Sequence, residues 1–182
     1  MLRMRWRHVA LSAAIGISTC LSAAAAETPY NLGVEAWKHK KYDEAAREWA
    51  LALQDGEVNA LNNLGYLYST GKGVPKDPDR AFQLWTIAAR YGNSESQWHM
   101  GYAYEHGEGV GQDLVYAYGW YGCALASASR LKHDDASGTE RHIEDDAVAS
   151  LRDLKPQLSS EQLTRAQELT QRLVDRYGKA AP

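Results

Sequence analysis

Cysteine is scarce in this chain. Only Cys20 and Cys123 occur among 182 residues, so no disulfide framework can hold the fold and stability has to come from packing. A basic stripe is missing as well, which removes the electrostatic case for nucleic acid or an anionic membrane surface as partner. No segment alternates apolar and polar residues at a period of two, so essentially no sheet is expected. The residue sets of hydrolytic chemistry are also absent. There is no Ser-His-Asp set, no nucleophile elbow and no zinc motif.

What the chain does have is a repeat at an offset of 36 residues. Leu64-Gly65-Tyr66 matches Met100-Gly101-Tyr102, and Gly71-Lys72-Gly73-Val74 matches Gly107-Glu108-Gly109-Val110. Asp77 maps to Asp113, Ala81 to Ala117, Trp85 to Tyr121 and Ala88 to Ala124. A fixed period of this length marks a stack of supersecondary units, which present a surface to a partner more often than they enclose a pocket. In 58–93, Leu61, Leu64, Gly65 and Tyr68 fall at helical spacing, and Gly71 and Gly73 break the helix. Asp77 or Asp79 caps a second helix with Pro78 in its first turn, and Gly92 stops it. The unit 94–128 repeats this, with Ser94 or Ser96 as the expected cap. The small residues Gly65, Gly101, Ala81 and Ala117 are expected to let helix backbones approach closely. A shorter unit, 27–57, aligns Ala45, Trp49 and Ala52 with Ala81, Trp85 and Ala88, and lacks four residues in its turn.

The two ends depart from this grammar. Arg3, Arg5 and Arg7, the apolar stretch from Val9 to Leu21 and Ala24-Ala25-Ala26 read as a secretory signal peptide, 1–26, cut after Ala26. The same residues also allow an uncut membrane anchor through 9–26 or lipidation at Cys20. Once cut, the chain is expected in the periplasm or outside the cell, with no membrane insertion; 23 acidic residues then outnumber the basic ones further. Beyond the repeats, Ser127 to Thr139 reads as a polar loop, with the repeat ending near 128 and the loop proper at 129–139. A closing helix pair, 140–178, follows, and then a tail, 179–182. Pro156 separates the pair, and Ser159-Ser160-Glu161-Gln162 reads as a capped start. Leu163, Ala166, Leu169, Leu173 and Tyr177 form its apolar stripe, with Arg165, Gln167, Glu168, Gln171, Arg172 and Asp175 outward.

The sequence Leu64-Gly65-x-x-Tyr68-x-x-Gly71-x-Gly73-Val74-x-x-Asp77, followed by Ala81, Trp85, Ala88-Ala89 and Gly92, resembles the Sel-one-like repeat of the tetratricopeptide superfamily. Residues 94–128 resemble it again, with Ser96-Gln97 before Met100-Gly101. The first unit is closer to an ordinary tetratricopeptide. The resemblance implies an all-α, right-handed α-solenoid of helix-turn-helix repeats and a role in assembling other proteins. Some secreted relatives are stapled by cysteine pairs, which this chain lacks.

In such a solenoid the first helix of each unit lines the inner surface. That places Asn59, Asn62, Asn63, Tyr66 and Ser69 there, then Glu95, Trp98, Tyr102 and Glu105, and from the first unit Tyr30, Val34 and Trp37. The expected partner-binding set is Asn59, Asn62, Asn63, Tyr66, Trp98, Tyr102 and Glu105. Tyr and Trp give large contact area at low entropy cost, and Asn62 and Asn63 are expected to hold a peptide backbone. The competing reading is that these aromatics pack between helices. No cofactor or metal is expected. The Gly-x-Gly pairs follow no strand and serve as helix stops, and His99 and His106 stand seven apart, too far for one metal. His133, Asp134, Asp135 and His142 form either a weak metal site or a solvated loop. Glu105 and Glu108 belong to the repeat grammar or an exposed turn, and Cys123 reads as a buried small residue. The expectation is therefore an exported, non-enzymatic adaptor for a protein or peptide. Two alternatives stand beside it: a weak envelope hydrolase directed at cell wall or a β-lactam, and an accessory subunit acting through the acidic segment 132–146. No feature specifies an oligomeric state.

Overall fold

The computed structural model describes residues 28–178. The expected leader and the tail lie outside the described residues. Eight α-helices follow in order: α1 (Pro29–Lys38), α2 (Tyr42–Ala52), α3 (Val58–Thr70), α4 (Pro78–Arg90), α5 (Ser94–His106), α6 (Leu114–Leu131), α7 (Thr139–Leu154) and α8 (Ser160–Tyr177). No strand occurs among the described residues. Each helix packs on the next through α6, which gives an all-α solenoid of three helix pairs.

Local chemistry sets the helix ends. The Thr28 hydroxyl accepts the Asn31 N–H with Pro29 in the first turn, and the Asp77 carboxylate accepts the Arg80 N–H with Pro78 in the same place. Asp113 caps α6, and Ser159 with Gln162 forms a reciprocal capping box on α8. The cap of α5 is Asn93, not Ser94 or Ser96. Gly92, at φ 84°, ends α4 in the left-handed region, so Asn93 is the first extended residue and its side chain accepts the Ser96 N–H at 2.8 Å. Both serines are buried in the helix interface instead.

The two glycines of each Gly-x-Gly do different work. Gly71 and Gly107 terminate α3 and α5 in the left-handed conformation. Gly73 and Gly109 also have positive φ, and a Cβ on either would overlap backbone: that of Tyr42 and Asp43 for Gly73, that of Pro78 for Gly109. The turn of one unit thus rests on the start of the second helix of the unit before it.

A glycine of the first helix lies under an aromatic ring of the second in all three units. A Cβ on Gly33 would overlap Trp49, one on Gly65 would overlap Trp85, and one on Gly101 would meet Tyr121. The glycines therefore make room for a ring; the expected backbone-to-backbone approach is not their role. Beside them Ala45, Ala81 and Ala117 are fully buried.

The C-terminal part departs from expectation in two ways. Helix α6 runs on to Leu131, so the irregular segment is only 132–138. Ser127 and Ala128 are fully buried there, and the polar residues beyond are engaged: the Ser129 hydroxyl donates to Glu144 at 2.6 Å and Arg130 Nε donates to the Gly178 carbonyl at 3.1 Å. The closing helices also each pack principally on α6, with α7 reaching α5 and α8 touching α4 only slightly. Ala124 and Ala128 meet Ile143 and Ala147 of α7, while Gly119 and Gly122 leave room for Leu169 and Thr170 of α8. Helix α6 is accordingly apolar or small over most of its surface, as a helix packed on three neighbours should be, with Tyr116 and Arg130 left exposed. Cys123 lies within it, and burial pushes its thiol up to about 12, which leaves almost no nucleophilic thiolate.

Candidate functional site

Helices α1, α3 and α5 present two adjoining hollows that meet at Tyr66. The first, of about 380 Å³, is bounded by Val34, Trp37, Trp49, Asn62, Asn63, Tyr66 and Glu95. The second, of about 440 Å³, takes in Tyr66, Ser69, Trp85, Trp98, His99 and Tyr102. Both volumes are in the range of small-ligand or side-chain pockets.

Tyr66 is fixed at this junction by its neighbours. Its ring stands edge-on to Trp37 at 5.4 Å between centroids, a favoured aromatic geometry. Lys72 Nζ donates to the Tyr66 hydroxyl at 3.2 Å and lies 5.0 Å from the Tyr66 centroid, 5.4 Å from Trp37 and 5.6 Å from Tyr42. The ammonium thus holds three rings from three elements in place through cation–π attraction.

The two asparagines separate in role. Asn62 is buried; its Oδ1 accepts the Ser96 hydroxyl at 2.8 Å, its Nδ2 donates to Glu95 at 2.8 Å, and its carbonyl accepts Trp85 Nε1–H at 3.3 Å. It joins the second unit to the third and has little left for a peptide. Asn63 is half-buried beside the first hollow, near the Tyr30 hydroxyl. Burial raises that phenol above its ordinary value, with Glu57 and Glu95 adding to the shift. Asn59 is exposed outside both hollows, and its Oδ1 accepts from Asn93 at 3.1 Å.

In the third unit the expected residues are more deeply engaged in packing. Trp98 is wedged against Ala124, Ala128, Ile143 and Ala147 on one side and Ala117, Tyr121 and Leu154 on the other. It also borders the second hollow. Tyr102 is sandwiched between Trp98 at 5.8 Å and His106 at 4.1 Å. The Glu105 carboxylate accepts the Tyr121 hydroxyl at 2.7 Å, so it anchors a core phenol whose proton is held far more tightly than usual by burial and by that carboxylate. Of the expected set, Asn62, Asn63 and Tyr66 meet at the first hollow, Trp98 and Tyr102 border the second, and Asn59 and Glu105 line neither.

Among the lining residues that were not expected, His99 stands out. His99 stacks on Trp85 with centroids 4.4 Å apart and 14° between planes, and its side chain is 13% exposed. Burial pushes its imidazole down to about 4, so it is neutral at physiological pH. Its Nε2 stands 4.0 Å from Glu95, whose carboxyl burial raises and the Asn62 amide partly lowers again. The signal was in the sequence: His99 lies one repeat offset beyond Asn63.

Three buried side-chain nitrogens without a hydrogen-bond partner, Trp49 Nε1, Trp98 Nε1 and His99 Nε2, belong to residues of these hollows; the others found are Gln97 Oε1 and Ser127 Oγ. All three are closed off within the packing, Trp49 Nε1 beneath Gly33 of α1. No group of three or more His, Cys, Asp or Glu is placed to hold a metal among the described residues. In the 132–138 segment Asp135 is engaged in the turn, accepting the N–H of Ser137 at 2.9 Å and of Glu140 at 2.6 Å. No helix of the described residues is long and apolar enough to cross a membrane.

Residues 58–93 and 94–128 each match the family model of the Sel1 repeat. Among solved structures the chain is similar to c5321, a protective antigen present in uropathogenic Escherichia coli strains and displaying an SLR fold. The identity is 26% and the TM-score 0.71, over 82% of this chain and 30% of that one. It is also similar to a Sel1 repeat protein from Oxalobacter formigenes, at 26% identity and a TM-score of 0.53, over 80% of this chain and 56% of that one. The chain therefore spans less than two thirds of either protein's length. No curated protein matches it in sequence.

Proposed function

The chain is a Sel1-repeat protein, and on that premise we propose that it is an adaptor whose α1–α3–α5 face binds an extended segment of a partner protein. The observation that carries this reading is the pair of joined aromatic hollows along the α1–α3–α5 face. An extended peptide offers carbonyl oxygens at regular intervals, and the half-buried Asn63 amide beside the first hollow suits one of them. Trp37, Tyr66 and Tyr102 supply the flat apolar area that anchors side chains. The binding set is accordingly revised to Trp37, Asn63, Tyr66, His99 and Tyr102, with Asn62 and Glu105 holding the scaffold. The basic, apolar, small-residue order of residues 3–26 favours a partner met in the cell envelope.

The test is a pair of substitutions at half-buried lining residues, with the fold checked alongside. Tyr66→Ala with Asn63→Ala is expected to abolish co-purification of a crosslinked partner segment while the helical circular dichroism stays unchanged. Trp98→Ala is unsuitable for this purpose, since it opens the α5–α6–α7 contact. Undiminished co-purification by the double variant moves the binding surface elsewhere.

A further inference from the structure

A third hollow, of about 440 Å³, lies away from the α1–α3–α5 face, where α8 rests on α6 and barely reaches α4. Its floor is apolar. Met100 and Trp120 are buried there, and Phe82, Leu169, Leu173 and Tyr177 are half-buried around them. Trp120 and Tyr177 lie nearly parallel at 6.0 Å. The rim carries three arginines, Arg90, Arg172 and Arg176, and no acidic residue lines the hollow.

Among the described residues none of the three guanidiniums takes part in an ion pair or a side-chain hydrogen bond, although the chain as a whole is acidic. Glu168 and Asp175 share α8 with them but stay outside ion-pair distance, and Asp175 accepts instead from Gln171 at 3.1 Å. Arg176 lies over the Tyr177 ring at 5.3 Å, and Arg90 sits in the last turn of α4, where the helix dipole favours a cation. Neither contact answers the charge on Arg172. Arg172 and Arg176 stand four apart on one helix, so they share a face and repel each other. An anion between them relieves that repulsion and is bound by charge-assisted, bidentate geometry.

We propose that this hollow binds a single-chain anionic amphiphile, with an acyl chain along Met100, Trp120 and Leu173 and a carboxylate head between Arg172 and Arg176. Apolar floor and cationic rim together select this chemistry: a small anion alone leaves the floor uncovered, and a neutral lipid leaves the arginines unanswered. The site is independent of the peptide face, so either can fail without the other.

The experiment is calorimetric titration of the full chain with dodecanoate below its micelle concentration. Dodecyl maltoside and dodecyltrimethylammonium serve as head-group controls, anionic phospholipid vesicles as the membrane control, and a glutamate-rich peptide as the acidic-segment control. One dodecanoate per chain is expected to bind, at least tenfold more tightly than either other amphiphile. Arg172→Gln with Arg176→Gln is expected to weaken it at least tenfold without shifting the thermal midpoint, and Lys76→Gln, on the opposite face, to leave it unchanged. Equal affinity for the three amphiphiles, indifference to the arginine pair, or no binding overturns the proposal. Vesicle or peptide binding without dodecanoate binding overturns it as well, because it assigns the arginines to a membrane surface or an acidic segment.

Discussion

In the unit 58–93, Gly65 lies under Trp85 and Ala81 is fully buried beside them; in the unit 94–128, Gly101 lies under Tyr121 and Ala117 takes the alanine's place. Asp77 and Asp113 cap corresponding helices, and Gly73 and Gly109 press on corresponding helix starts. The agreement ends at the positions of α3 and α5 that lie along or beside the hollows. There Asn59 faces Glu95, Asn62 faces Trp98, Asn63 faces His99 and Ser69 faces Glu105 across the offset, and only Tyr66 keeps its type in Tyr102. Backbone packing is therefore written twice and the lining once. A partner lying along both units meets amides first and an imidazole and indole next, which gives the face a direction.

The comparison breaks first at the rings. Trp85→Ala is expected to cost roughly 3–5 kcal/mol, because it removes a buried indole and strips the support from His99. Gly65→Ala and Gly101→Ala should destabilise comparably in chemical denaturation, since each Cβ enters the space of a ring. Loss of stability in one with none in the other ends the equivalence of the units. The turn glycines come next. Gly109→Ala should cost about 3 kcal/mol, from a positive φ and collision with the Pro78 carbonyl, against about 1–2 kcal/mol for Gly107→Ala, whose Cβ meets only ordinary contacts at 3.5 Å.

Acid should act through the lining that is written once. His99 is held down to about 4 by burial, against about 6.5 in the unfolded chain. The unfolded state thus binds the proton first, and stability is full above pH 6.5 and falls as pH drops toward 4. The loss is on the order of 3 kcal/mol. Glu95, raised by burial, works in the opposite sense as pH rises through the carboxylate range. Thermal midpoints measured from pH 7 to pH 4 should show the fall, and His99→Gln should flatten it. An unchanged slope in that variant removes His99 as the cause.

The smallest effects separate the asparagines. Asn62→Ala leaves the Ser96 hydroxyl and Glu95 without their partner and should cost about 1–3 kcal/mol. Asn63→Ala should stay within about 0.5 kcal/mol in the same denaturation series. A reversed order makes Asn63 the scaffold residue and Asn62 the free one.

Much of this architecture was legible beforehand because it repeats. Two glycines, an aspartate cap and an aromatic at fixed offsets state one hairpin, and the four-residue deletion in the first unit fell in its turn, where loops absorb it cheaply. What was not legible depended on contacts between units. Asn62 and Asn63 are adjacent and identical, and only the approach of Ser96 and Glu95 from the next helix decides which one is spent. Glu105 looked free until Tyr121 reached it from α6. The loop expected from Ser127 was misread because serines suggest a turn locally, whereas α7 and α8 bury that stretch of α6 and hold it helical.

The central claim is that the α1–α3–α5 face meets the partner. A photo-reactive amino acid placed at Tyr66, between the two hollows, and separately at Ile87, exposed on α4, tests it directly in cells. Crosslinks to one partner segment are predicted from position 66 and none from position 87. Crosslinks from 87 with none from 66 contradict the account.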